Sequence, residues 1–177
     1  MFLSKRIVTI AVAATIFSGM SSLSYASDGN LNFTGEITNN PCTVVGDSGA
    51  NVNVMLGKVS QTSFANAGDE AAATSFALKL TNCSNVTSAQ VSFDGASDAV
   101  NKSLIKLSAG ADAATGVGIG IYEANGSTLI PLFSKSKEVA VKEGAAQFDF
   151  VAKYVATSKD VKAGSANGSA TFTVAYK

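Results

Sequence analysis

The chain has 177 residues, 13 acidic and 13 basic side chains, two cysteines and no histidine. Without histidine, Ser/His/Asp and Cys/His nucleophile arrangements are excluded, and two cysteines alone leave too few ligands for a zinc site. Its basic residues are scattered, so no basic stripe marks a nucleic-acid or anionic-lipid surface.

Lys5 and Arg6 precede the apolar run Ile7 to Phe17, and Ser24-Tyr25-Ala26 is a small-x-small cleavage pattern. Residues 1–26 therefore read as a secretory signal peptide, too short and too soon polar for a membrane anchor. Cleavage after Ala26 would leave 151 residues with no arginine and a net charge near −2. That length suits one domain.

The first element of the mature chain is a strand over Leu31 to Ile37. Leu31, Phe33 and Ile37 share one face with Gly35, and Asn32, Thr34 and Glu36 share the other. Nothing ahead of it but Ser27 to Asn30 could hold it to a sheet. It must pair within its own domain or elsewhere.

Cys42 and Cys83 follow, 41 residues apart. Export favours a disulfide over two buried thiols, and in the chain-entropy model it would contribute about 4 kcal/mol. Alternating strands are predicted at Val52 to Leu56, Phe76 to Thr81, Val91 to Phe93, Leu104 to Leu107 and Val117 to Ile121. Gln61 to Ala73 has some helical character, reduced by Gly68 to a turn or one short helix.

Asn125-Gly126 predicts a hairpin leading into Leu129 to Phe133. A short charged strand is expected around Val139 to Val141, a long one over Phe148 to Tyr154, and a last one over Ala170 to Tyr176. The phenylalanines fall on core-face positions. Gly116-Val-Gly-Ile-Gly lacks the spacing and following helix of a phosphate loop, so its glycines are expected to leave room for close packing on one strand face. Carboxylate pairs such as Asp69-Glu70 read as solvated loop charges. No catalytic, metal-binding or cofactor-binding residue is expected.

Seven or more short strands in about 150 residues suggest an all-β immunoglobulin-like sandwich with strands at both ends. A terminal strand must be tied into a sheet to persist. One option is that Leu31 to Ile37 pairs with Ala170 to Tyr176 of its own chain. The other is addition to the sheet of another molecule.

At this point the chain resembles the type 1 fimbrial (pilin) subunit family of the chaperone-usher pathway. The resemblance rests on the leader followed by Leu-Asn-Phe-Thr-Gly-Glu-Ile, on Asn40-Pro41-Cys42 and Thr81-Asn82-Cys83, and on Gly116-Val-Gly-Ile with Asn125-Gly126. It rests also on Phe150-Val-Ala-Lys-Tyr, on Ala170-Thr-Phe-Thr-Val-Ala-Tyr-Lys with its penultimate Tyr176, and on Gly164, fourteenth from the end. It implies an incomplete immunoglobulin-like β-sandwich lacking its C-terminal strand, with residues 27–40 as an extension carrying a free donor strand and residues 41–177 as the pilin domain. Leu31, Phe33, Gly35 and Ile37 would be the donor face, with Gly35 at a shallow pocket. Gly164, Phe172, Val174, Tyr176 and Lys177 would form the acceptor groove and chaperone contact, with the Lys177 carboxylate anchored by chaperone cations.

The implied function is a structural subunit of a bacterial surface fimbria, exported through the periplasm and polymerising by donor-strand exchange in support of adhesion. The implied partners are identical or related pilin subunits, a periplasmic chaperone and an outer-membrane usher, with no nucleic acid, membrane insertion or cofactor. A minor pilus subunit or a monomeric secreted binding module with the same sandwich is the alternative.

Overall fold

The structure is a computed structural model, described here for residues 31, 32, 34, 35, 41–46 and 49–177. The predicted leader and residues Phe33 and Ile37 of the predicted donor face lie outside the described residues. The chain divides into two units, 1–37 and 38–177. In the first, Leu31, Asn32, Thr34 and Gly35 are exposed and belong to no strand.

The described residues of the second unit form seven strands: β1 (Thr43–Val45), β2 (Glu70–Thr81), β3 (Ser88–Asp94), β4 (Val117–Glu123), β5 (Val139–Ala140), β6 (Ala146–Ala156) and β7 (Thr171–Tyr176). They form two antiparallel sheets, one ordered β1-β2-β6-β4 and the other β5-β3-β7. Alternation sets which side chains face inward. Leu78 and Leu80 of β2, Val91 and Phe93 of β3, Ile119 and Ile121 of β4, and Phe148 and Phe150 of β6 meet in one core. This is the expected all-β sandwich.

The disulfide joins Cys42 to Cys83. It lies beside the first register pair of β1 and β2, Thr43 opposite Thr81, and Ser84 N–H donates to Pro41 O at 2.9 Å on the same side. A three-residue strand has few ladder bonds of its own, so the crosslink holds β1 in place.

Four local expectations need correction. Within Gln61 to Ala73 the expected turn or short helix is a single 3-10 turn over Gln61–Ser63, but residues 70–73 belong to β2, so Glu70, expected as a solvated loop charge, is a strand residue bonded to Tyr122 and Lys153. Ser60 caps that turn, and Asp69 Oδ2 accepts from Ala65 and Asn66 N–H at 2.7 and 2.8 Å. Gly68, at φ +95°, then turns the chain into the strand. Pairing of Glu70 and Ala71 with Val155 and Tyr154 outweighs alanine's helix preference, at the cost of a bulge where Ala72 takes φ 58°.

Val52 to Leu56 keeps its alternation, with Val52, Val54 and Leu56 half-buried, but lies outside the strands. Leu104 to Leu107 is reduced to bridges from Ile105 to Ser97 and Ile119. The hairpin at Asn125-Gly126 forms, with Glu123 N–H on Thr128 O and Ile130 N–H on Ile121 O, but Phe133 at its end is 64 % exposed with φ 66°. Its N–H is drawn to Phe93 O, and the turn that does this points the ring away from the core.

The glycines of β4 act as expected. A Cβ on Gly118 would come within 3.0 Å of Leu104 Cβ, and one on Gly120 within 2.8 Å of the Tyr122 ring. The space they leave admits a second cluster on the outer sheet face, made of Leu104, Tyr122, Val151 and Val155.

Candidate functional site: an unpaired edge beside an open groove

β7 ends the smaller sheet. Its residues pair with β3 from Thr171 opposite Asp94 to Tyr176 opposite Ala89. No strand among the described residues pairs with its other side. The four-stranded sheet likewise ends at β1, so both layers stop on the side where β1 and β7 lie.

Between these edges runs a groove of about 1400 Å³. Phe172, Val174 and Tyr176 of β7 line one wall, and Val44, Val52 and Leu56 the other. Phe76, Leu78, Phe93, Ile105, Ile119 and Ile121 reach it from the core. Phe76, Phe172, Val174 and Tyr176 pack on the core yet stay half-buried. A closed sandwich would bury them, so their exposed apolar area is what a further strand could cover. Burial raises the Tyr176 phenol above its ordinary range, which keeps it neutral on this wall.

The end of β7 is tied down. Lys177 N–H donates to Ser88 O at 2.9 Å, and Lys177 O accepts from Thr87 N–H at 2.7 Å and Thr87 Oγ1 at 3.1 Å. Lys177 Nζ lies 2.6 Å from Glu138 Oε2, and the Ser88 hydroxyl donates to Glu138 Oε1. The Lys177 hydrogen bond, and then that of Ser88, hold the Glu138 carboxyl below its usual range.

The predicted acceptor residues thus divide. Phe172, Val174 and Tyr176 line the groove together, whereas Gly164 and Lys177 are not among its lining residues. Gly164 stands where a Cβ would lie 2.5 Å from Ala114 N and Asp112 O, beside the parallel bridge between Ala113 and Ser165. Its part is close backbone approach between two loops. The opposite wall was missed as a site: Val52, Val54 and Leu56 were visible as an alternating run, but nothing in the run says that its inner face borders an opening.

The family model for fimbrial proteins matches residues 31–177. The chain belongs to the fimbrial protein family. A relative from Escherichia coli O157:H7 described as "Probable major fimbrial subunit LpfA" is 38% identical over 178 residues, covering 99% of both chains. Among solved structures, the antigen and type I fimbria protein of Burkholderia pseudomallei is 36% identical at a TM-score of 0.61, over 82% of this chain and 96% of that one. The P pilus rod subunit PapA superposes at a TM-score of 0.64 with 18% identity, over 77% of this chain and 99% of that one, a likeness of fold. The fold of this family member is therefore that of the pilins, and the expected class of protein, a fimbrial subunit, stands.

Proposed function

We propose that this fimbrial subunit polymerises by donor-strand exchange, the groove beside β7 taking the Leu31 to Ile37 segment of another copy. The observation that carries the reading is the unpaired edge of β7 beside a groove whose walls leave Phe76, Phe172, Val174 and Tyr176 half-buried. An added strand gains main-chain hydrogen bonds along β7, and alternate side chains fill the groove. Burying Leu31, Phe33 and Ile37 there would contribute roughly 1.5 to 3 kcal/mol each before the cost of ordering the segment. Leu31, at 85% exposed, has that area to bury.

Until a second copy arrives, the open core needs cover. A periplasmic chaperone lending a strand to the same groove, and delivery to an outer-membrane usher, supply that order of events on the way to the surface fimbria. The protein's work in this scheme is structural, and it catalyses nothing.

Gly35→Leu tests the donor assignment. The variant should reach the periplasm folded with its chaperone but yield at least tenfold fewer fibres, measured by electron microscopy and by ladders of subunits that resist detergent. Normal fibre yield would overturn the placement of Gly35 in a shallow pocket. A stable, chaperone-free monomer that never self-associates would overturn the polymerisation reading in favour of a secreted binding module.

A further inference from the structure

Strand addition to β7 requires that β7 itself keep its register to the end, yet among the described residues β7 has a partner on one side only. Chain ends fray unless tied down. If the last residues of β7 lifted from β3, the groove would lose Tyr176 from its wall and the incoming strand would lose its last ladder partners.

The last residue is fastened by groups outside the regular ladder. Thr87 supplies two donors to the backbone oxygen of Lys177, its own N–H at 2.7 Å and its hydroxyl at 3.1 Å. Glu138, just ahead of β5, joins the Lys177 ammonium to the Ser88 hydroxyl, and Ser88 is the first residue of β3. β5 is itself paired with β3 through Ser88 opposite Ala140, so Glu138 starts from a fixed position. An exposed lysine-glutamate pair alone is worth little, because water screens it and two long side chains must be ordered. Here the same carboxylate also holds a buried hydroxyl through a charge-assisted bond, which is the stronger kind, and the Lys177 backbone oxygen accepts its own pair of hydrogen bonds. Neither Thr87 nor Glu138 lines the groove.

We propose that Thr87 and Glu138 are positioning residues for strand addition: they clamp Lys177 and so hold the acceptor edge in register up to Tyr176. The proposal rests on the donor-strand reading above. It assigns a task to two residues that never touch the incoming strand, and it explains why Lys177 finds both its ammonium and its backbone oxygen engaged.

The test uses the full chain, exported and isolated as its periplasmic complex, as wild type, Thr87→Val, Thr87→Ser and Glu138→Ala. Two quantities are read: hydrogen exchange of the peptide holding Tyr176 and Lys177, measured after release from the chaperone so that chaperone contacts do not protect it, and the rate at which a synthetic peptide of residues 27–40 enters the groove. Thr87→Val and Glu138→Ala should each raise exchange about tenfold and slow peptide entry several-fold. Thr87→Ser, which keeps the hydroxyl, should restore both. Wild-type exchange in both variants would overturn the clamp. Faster exchange with unchanged peptide entry would overturn its part in positioning. If the wild-type protein itself takes up no peptide, the donor-strand reading falls and the positioning role with it, while exchange at the C-terminus still decides whether the clamp exists.

Discussion

The rings of Phe93 and Phe150 meet edge to face across the two sheets, with centroids 5.1 Å apart and planes at 83°. Phe93 also borders the groove, while Phe150 is 1 % exposed and stacks near Phe148 and Phe76. The floor of the groove and the centre of the core are thus one cluster. Phe150→Ala should cost about 3 to 5 kcal/mol of stability, since the cavity it leaves lies between layers that cannot collapse freely. Denaturant unfolding of the peptide-filled protein checks this. A double-mutant cycle with Phe93→Leu should show coupling of roughly 0.5 to 1.5 kcal/mol from the edge-to-face contact.

Much of this architecture was legible in the sequence because inward faces follow a period of two. Phe148, Phe150 and Tyr154, or Ile119 and Ile121, could be placed on the core side from spacing alone. What escaped was set by partners distant in sequence. Ala71 looks helical until Tyr154 is found opposite it, and Phe133 looks like a core residue until its N–H is claimed by Phe93 O. The β7 wall could be anticipated from Phe172, Val174 and Tyr176, whereas the Thr87 and Glu138 clamp joins residues 90 and 39 positions from the chain end, with no local pattern.

The disulfide offers a second prediction. Cys42 is buried at the groove and borders it, and its bridge holds the short strand β1 against β2. Cys42→Ser with Cys83→Ser should lower stability by about 2 to 4 kcal/mol. Because Val44 and Val52 form the wall on this side, the loss should also slow peptide entry into the groove. Comparing denaturation midpoints and peptide uptake of the oxidised and double-serine proteins separates the two effects, and unchanged uptake would confine the bridge to stability.

Acid should weaken the outer sheet face through Glu70. Its carboxylate accepts from Tyr122 Oη at 2.5 Å and from Lys153 Nζ at 2.6 Å. Partial burial pushes its pKa up, but the hydrogen bonds from Lys153 and Tyr122, with the lysine's charge, outweigh that and leave it below its ordinary value of 4.5. A lowered folded-state pKa stabilises the fold above the unfolded value and loses that contribution as pH falls through the folded one. Denaturation midpoints measured from pH 7 down to pH 2 should therefore fall more steeply in wild type than in Glu70→Gln, which has no such proton to bind. Parallel curves would show that the network does not couple to folding.

The same network gives Gly120 a consequence beyond packing. On the outer face of β4, Tyr122 lies so close that a Cβ on Gly120 would be 2.8 Å from its Cε2 and 3.2 Å from both Leu129 and Val155. The ring cannot move aside freely, because its hydroxyl is on Glu70 and Lys153 Nζ sits 4.5 Å from its centroid, itself held by Gly126 O at 2.5 Å. Gly120→Val should thus cost about 1 to 3 kcal/mol through overpacking. It should also displace the Tyr122 hydroxyl from Glu70 and flatten the acid dependence toward that of Glu70→Gln. A destabilised variant that keeps the full wild-type slope with pH would mean either that Tyr122 yields at the ring while its hydroxyl stays on Glu70, or that Lys153 alone sets the carboxylate's affinity for a proton.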